Sequence, residues 1–316
     1  MPGWKILITD GLKERGQAIL RDAAEVEEVS DLIGISAEEL NNILPEYDAM
    51  IVRSRTKVTA EVIKVARKLK VIGRAGVGVD NIDLAAAQSN QITVINSPLA
   101  TSVAVAEHTM ALMLSLIRMI SRADAAMKTG QWIKAQLVGT ELNDKTLGII
   151  GMGRIGSLVG ERAAAFGMQI LGYDPLLPDE VIQARGAQPT ELRVLFSRSD
   201  IISLHLPLNP ETRNMIDGQA FGTMKRGVIL ICAARGGIIA ETALLSALES
   251  GQVAGAALDV FSEEPPGLTA LVAHPKVIAT PHIGAQTQEA QLRAAQDIAS
   301  EVLASLRNEP LRWKIV

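Results

Sequence analysis

The sequence predicts an α/β protein built from two doubly wound parallel-sheet blocks. Three features carry that prediction. Short apolar runs alternate with helical stretches over the first hundred residues; a long apolar helix follows; the alternation then restarts at Thr146 with a glycine-rich turn. In the first block, residues 5–9, 49–53, 70–74 and 92–95 are apolar runs flanked by turn residues, which read as strands buried on both faces. Helical stretches fall between them at 36–44, 59–66 and 81–88, with Ser36, Thr59 and Asn81 as expected N-caps. Ser97-Pro98 ends the block, and a helix is expected from about 101 to 120, followed by a more polar one at 122–129 that stops at Gly130. Strands of the second block are expected at 146–150, 169–173, 201–204, 228–231, 255–259 and 277–279. Helices at 157–166 and 241–249 separate some of them, and a final helix covers about 286–306.

A chain of 316 residues with 48% hydrophobic and 21% charged residues has room for two domains and a sizeable core without disulfides or metals. The net charge is −4, so the basic field of a nucleic-acid binder is missing and no nucleic-acid partner is expected. The single cysteine, Cys232, cannot form an internal disulfide, which suits a reducing cytoplasm. Residues 1–10 lack the basic start and apolar run of a leader. The most apolar stretch, 103–120, carries Glu107, His108 and Arg118 and reads as a buried helix, not a membrane span.

The glycine-rich turn has a specific physical logic. Gly151, Gly153 and Gly156 sit between an expected strand and an expected helix. Gly151 permits a tight turn, Gly153 lets backbone approach a pyrophosphate, and Gly156 lets helix and sheet pack closely. The helix N-terminus offers unpaired N–H groups to phosphate. Asp174 ends the next strand, near the expected offset of about 20 residues for an acid that binds a ribose 2′-hydroxyl. The residues that follow, Pro175, Leu176 and Leu177, bring no arginine for a 2′-phosphate, so the expected cofactor is NAD. Hydride transfer at a hydroxyl carbon also needs a proton carrier and a cation for a carboxylate. Arg235, Glu264 and His282 each follow an expected strand of the second block, where α/β sites form. His282 would exchange the hydroxyl proton, Glu264 would stabilise its imidazolium, and Arg235 would grip the carboxylate and polarise the carbonyl. Taken singly, each has a plainer reading as a loop, cap or solvated turn residue. His108, His205 and His274 read as packing, cofactor-lining and surface-loop residues.

In combination these stretches resemble one family. Segments 52–59, 73–81, 106–108, 139–142, 151–156, 234–237, 255–261, 263–266 and 281–285 match, in order, the D-2-hydroxyacid dehydrogenases, and within them the D-3-phosphoglycerate dehydrogenases. The resemblance implies a Rossmann-type cofactor domain, residues 99–284, inserted in a flavodoxin-like substrate domain, residues 1–98 and 285–316. It implies catalytic roles for Arg235, Glu264 and His282, and cofactor contacts at Arg154, Ile155, Asp174, Ala234 and Asp259 beside the three loop glycines. It places a carboxylate-binding loop on 75–78, including Val77 and Gly78, and a basic residue for the substrate's far end at Arg53, with Arg74 and Lys134 as further candidates for a phosphate. It implies a homodimer formed through the long-helix region, near Trp132 and Lys134, and no metal. Two departures stand out: Thr101 and Cys232 each occupy a position where the family usually has asparagine. The chain ends at Val316, so a C-terminal serine-binding regulatory domain is expected to be missing. D-3-phosphoglycerate is the expected substrate. Glyoxylate or hydroxypyruvate reduction, or oxidation of a related acid such as sulfolactate, is the alternative, and an NADH-sensing corepressor-like binding protein is the non-enzymatic one.

Overall fold

The computed structural model describes residues 3–316; Met1 and Pro2, the head of the segment read for a leader, lie outside the described residues. The chain divides into two compact units, 1–101 with 285–316, and 102–284. The first boundary falls after Thr101 rather than after Pro98. Ser97 and Ala100 stay with the first unit because Ser97 Oγ donates to Asp297 (2.9 Å) and Arg293 Nε donates to the Ala100 carbonyl (3.0 Å).

The first unit begins β1 (Trp4–Ile8), α1 (Glu14–Arg21), β2 (Val26–Asp31), α2 (Ala37–Ile43), β3 (Ala49–Val52), α3 (Ala60–Val65), β4 (Val71–Arg74), α4 (Leu84–Ser89) and β5 (Thr93–Asn96). Its five parallel strands lie in the order β2-β1-β3-β4-β5, the flavodoxin-like order, with a switch point between β1 and β3. The apolar runs form strands because both sheet faces are covered; Leu7, Ile51, Val71 and Ile95 are fully enclosed. Strand β2 escapes the sequence reading because Val-Glu-Glu-Val-Ser-Asp is a half-exposed edge strand without an apolar run. Ser36 caps α2 in a full capping box with Glu39. Asn81 does not cap α4: Asp83 does, accepting from the Ala86 N–H, and Asn81 is used elsewhere.

The second unit opens with α5 (Ser102–Ile117) and α6 (Ile120–Lys128), so the two expected helices are present and the break between them falls at 118–119, not at 121. Met119 takes a left-handed conformation there (φ 54°), and the two helices bend by 65°. Among the described residues no single helix is long and apolar enough to cross a membrane. The fold continues with β6 (Thr146–Ile150), α7 (Arg154–Ala165), β7 (Gln169–Tyr173), α8 (Asp179–Ala184), β8 (Gln188–Pro189), α9 (Leu192–Arg198), β9 (Ile201–Leu204), α10 (Gly218–Thr223), β10 (Val228–Cys232), α11 (Glu241–Glu249), β11 (Val253–Leu258) and β12 (Val277–Ala279). Its seven parallel strands run β12-β11-β10-β9-β6-β7-β8, a Rossmann-type sheet whose order reverses between β6 and β9. The chain then returns to the first unit as α12 (Gln288–Leu306), whose alanine-rich face packs on α1 and β4.

The C-terminal segment closes the β5 edge: Val94 N–H donates to Val316 and Ile315 N–H to Val94. Glu301 of α12, 3% exposed, anchors that segment by accepting from Arg312 N (2.9 Å), Arg312 Nε (2.7 Å) and Trp313 N (3.3 Å). Removing it leaves partly buried donors unpaired and frees the segment that covers the sheet edge. Glu301→Ala is expected to lower stability by about 2–3 kcal/mol in urea unfolding, and Glu301→Gln by less, because the amide still accepts. Equal losses in the two variants would show that charge, not acceptance of these donors, is what matters.

Candidate active site

Each functional group stands at the carboxyl end of a strand, where a parallel sheet buried on both faces can expose polar atoms. In the second unit the turn after β6 has the shape its glycines require. Gly151 has φ +94°, and a Cβ there would lie 2.4 Å from the His205 carbonyl oxygen. A Cβ on Gly156 would lie 2.1 Å from the Gly151 oxygen, whereas nothing stands within 4 Å of one on Gly153. The loop therefore presents an open backbone face at Gly153, at the head of α7, with Arg154 exposed on its first turn and Ile155 partly buried beneath. Asp174 accepts from Met152 N (2.9 Å) and Leu176 N (3.0 Å). Gly153, Arg154, Asp174, Leu176, Leu177 and Arg185 line an open cleft of about 300 Å³. This glycine cradle, helix N-terminus and strand-end carboxylate fit a dinucleotide. Sequence reasoning missed Arg185, because it reaches the cleft from the end of α8 and not from the residues after Asp174.

The catalytic candidates follow three adjacent strands, β10, β11 and β12. Arg235 is on the loop after β10, where Nη1 donates to the Ala234 carbonyl (2.7 Å). That loop packs backbone to backbone on the next one, since a Cβ on Gly236 would lie 1.8 Å from the Phe261 oxygen. On that next loop Glu264 Oε1 accepts from Phe261 N (3.1 Å), and Oε2 meets His282 Nδ1 at 2.8 Å. An ionised carboxylate only accepts, so Nδ1 carries the hydrogen and Nε2 is left for a reacting group. Burial alone would raise the Glu264 pKa, but the hydrogen bond and charge of His282, with the Phe261 N–H, bring it below the usual carboxylate value.

His282 has φ 53°, a left-handed conformation that costs a non-glycine residue energy and so must be imposed by its surroundings. Asp259, 1% exposed at the end of β11, imposes it. Its Oδ1 accepts from Thr280 Oγ1 (2.6 Å) and Ile283 N (2.8 Å), and its Oδ2 from Gly284 N (2.8 Å), fastening the loop on both sides of His282. His108 of α5 stands 3.3 Å from both Asp259 Oδ1 and Thr280 Oγ1. Burial would raise the Asp259 pKa, and these donors outweigh it, holding the group below its ordinary value.

Two other groups are set aside by their surroundings. Burial pushes His205 down to about 4, so it is neutral near pH 7, with Nε2 on Ser203 Oγ (2.8 Å). Burial pushes the Cys232 thiol up to about 11, which keeps it protonated and unreactive. Among the described residues no cluster of three or more His, Cys, Asp or Glu could hold a metal.

In the first unit the segment after β3 is fixed from two sides. Asp10 accepts from Arg53 N (2.7 Å), Thr56 N (3.1 Å) and Thr56 Oγ1 (2.6 Å), while Asn81 Nδ2 donates to the Arg53 (2.9 Å) and Thr56 (2.7 Å) carbonyls. The Arg53 guanidinium reaches Gln286 (3.3 Å) and that of Arg74 reaches Ser54 (3.0 Å). The loop after β4 is braced by Asn96 Nδ2 donating to the Val77 carbonyl (2.6 Å) and Ser97 N to that of Gly76 (2.9 Å). The N–H groups of Val77 and Gly78 have no acceptor among the described residues, which leaves two donors for an anion.

Residues 110–284 match the family model for the NAD binding domain of D-isomer specific 2-hydroxyacid dehydrogenases. The chain is 48% identical over 306 residues to a D-3-phosphoglycerate dehydrogenase of Methanocaldococcus jannaschii, covering 96% of this chain and 58% of that one. This chain therefore spans somewhat over half the length of the curated relatives it matches. Among solved structures it resembles the D-lactate dehydrogenase of Aquifex aeolicus complexed with NAD and lactic acid (31% identity, TM-score 0.85, 96% of each chain). It also resembles a glyoxylate reductase from Paecilomyes thermophila (30% identity, TM-score 0.89, covering 100% of this chain and 99% of that one).

The depressed pKa values of Asp259 and Glu264 give the loop a pH dependence. A carboxylate held below its unfolded value adds stability above that value and loses it as the pH falls through the folded one. The 280–284 loop is thus expected to stay fastened at neutral pH and to loosen in acid, below about pH 4. Asp259→Ala should loosen it at pH 7, at a cost of about 3 kcal/mol for the unpaired donors. Amide exchange at Ile283 and Gly284 checks both; protection unchanged in the variant would remove Asp259 from this role.

Proposed function

The chain belongs to the D-isomer-specific 2-hydroxyacid dehydrogenases, and on that premise we propose that it oxidises D-3-phosphoglycerate, or reduces the corresponding keto acid, with NAD. The observation that carries the reading is the His282–Glu264 pair at 2.8 Å, with Nε2 free of the carboxylate, formed between the loops after β12 and β11, with Arg235 on the loop after the adjoining β10. NAD, when bound, supplies the hydride acceptor. The Gly151, Gly153 and Gly156 turn with Arg154, Ile155 and Asp174 would hold its phosphate and adenosine portions, with Ala234 as a further contact. Asp259, a further cofactor contact in this reading, also fastens the loop that carries His282.

Neutral His282 takes the substrate hydroxyl proton at Nε2 as the alcohol is oxidised and returns it in the reverse direction. Glu264 holds the opposite ring nitrogen, which fixes the tautomer and balances the imidazolium charge. Arg235 grips the substrate carboxylate and polarises the adjoining carbonyl. Within the first unit, the N–H groups of Val77 and Gly78 are donors suited to a carboxylate, and Arg53 and Arg74 are cations suited to a phosphate.

The protein acts as a cytoplasmic homodimer. Exposed apolar side chains at Ile120 and Met127 on α6, and at Trp132 (77% exposed) and Val138 (78% exposed) between α6 and β6, supply a surface for pairing, with Lys134 among them. The protonated, enclosed Cys232 suits a reducing compartment.

NADH oxidation followed at 340 nm should show preference for 3-phosphohydroxypyruvate over hydroxypyruvate, glyoxylate and pyruvate. Preference for one of the latter would shift the substrate to an unphosphorylated acid. His282→Ala should lower kcat by about 10²–10⁴ while NADH still binds. Arg53→Ala should raise the KM of the phosphorylated acid about tenfold and leave that of glyoxylate unchanged. An unchanged KM for the phosphorylated acid would remove Arg53 from phosphate recognition.

A further inference from the structure

The cleft beside Asp174 contains a cation that the glycine-turn pattern does not supply. Arg185 follows the last turn of α8 and is half-buried, and its Nη1 donates to the Met152 carbonyl. Met152 N–H donates to Asp174 in turn, so one peptide of the phosphate turn is clamped between a carboxylate and a guanidinium. The Arg185 side chain then continues into the cleft wall, facing the same space as Asp174 and Arg154, with Leu176 and Leu177 completing the wall. Two guanidinium groups thus stand against one carboxylate. Both oxygens of that carboxylate already accept backbone N–H groups, from Met152 and from Leu176.

We propose that Arg185 is a specificity-determining residue for the 2′ position of the adenosine ribose, and that its charge lets this cleft accept the 2′-phosphate of NADPH alongside the 2′-hydroxyl of NADH. The inference rests on the reading that a nicotinamide dinucleotide occupies the cleft. Asp174 repels a 2′-phosphate and accepts from a 2′-hydroxyl. Arg185 does the reverse: a guanidinium forms charge-assisted, bidentate contacts with phosphate, and partial burial protects such a contact from screening. The preference between the two cofactors is the balance of these two side chains, which already share the Met152 peptide.

The test is direct binding of NADH and NADPH, read by the fluorescence of the bound nicotinamide, to the wild-type chain and to R185A, R185K and D174S. Both dinucleotides should bind the wild type, NADPH the more weakly. R185A should raise the NADPH dissociation constant about tenfold more than that of NADH, the scale of one lost charge-assisted contact. R185K should recover part of that difference. D174S should move the preference toward NADPH, and R185A in that background should reverse the move. If R185A weakens both dinucleotides in the same proportion, Arg185 only braces the Met152 peptide and the proposal is wrong. NADPH failing to bind the wild type at millimolar concentration while NADH binds would also overturn it. Failure of NADH itself to bind would instead overturn the cofactor reading on which the proposal stands.

Discussion

The functional loops depend on one repeated interaction: an aspartate at the end of a strand accepts backbone N–H groups from the loop that follows a neighbouring strand. Asp10 after β1 holds Arg53 and Thr56 after β3; Asp174 after β7 holds Met152 after β6; Asp259 after β11 holds Ile283 and Gly284 after β12. The cause lies in the sheets. Strands buried on both faces leave their polar groups only at the ends, and the N–H groups just beyond a parallel strand have no ladder partner. A carboxylate next door satisfies them and leaves the side chains on the pinned loop directed elsewhere. Arg53 and His282 are carried on loops fixed in this way, and Arg154 on the helix that begins just after one.

The same arrangement explains how one histidine is prepared for proton transfer and another is not. His282 lies on a loop that Asp259 forces into a left-handed turn, and its ring faces a carboxylate at 2.8 Å. His205 has no charged partner among the described residues and is held neutral by burial. Chemistry here comes from environment rather than residue type: the chain contains four histidines and the fold gives a carboxylate partner on the reacting side of the sheet to His282. His108 also meets a carboxylate, but one already taken up in fastening the 280–284 loop, so it supports that loop.

The cleft at Asp174 shows the limit of pattern reading along the chain. The spacing of glycines and aspartate identifies a dinucleotide turn because each glycine answers a local steric demand, which the distances at Gly151 and Gly156 bear out. Arg185 answers no local demand. It reaches the turn only because α8 folds back beside β6 and β7, and its identity as a cleft residue exists only in three dimensions.

By itself the sequence determined the alternation of strand and helix, the glycine turn, and the residues Arg235, Glu264 and His282 as candidates, because apolar runs, capping residues and positive-φ glycines obey rules within a few residues. It did not disclose β2, whose polar edge strand has no apolar signature, nor the left-handed Met119 and 65° bend at the junction of the two expected helices. It also placed Asn81 as a helix cap, when that side chain joins two carbonyls of the Arg53 loop. The tertiary structure decided these, along with the pinning of each loop by a distant aspartate. Such contacts join residues far apart in the chain, and no local rule can specify which backbone N–H a strand-end carboxylate will meet once the strands are ordered.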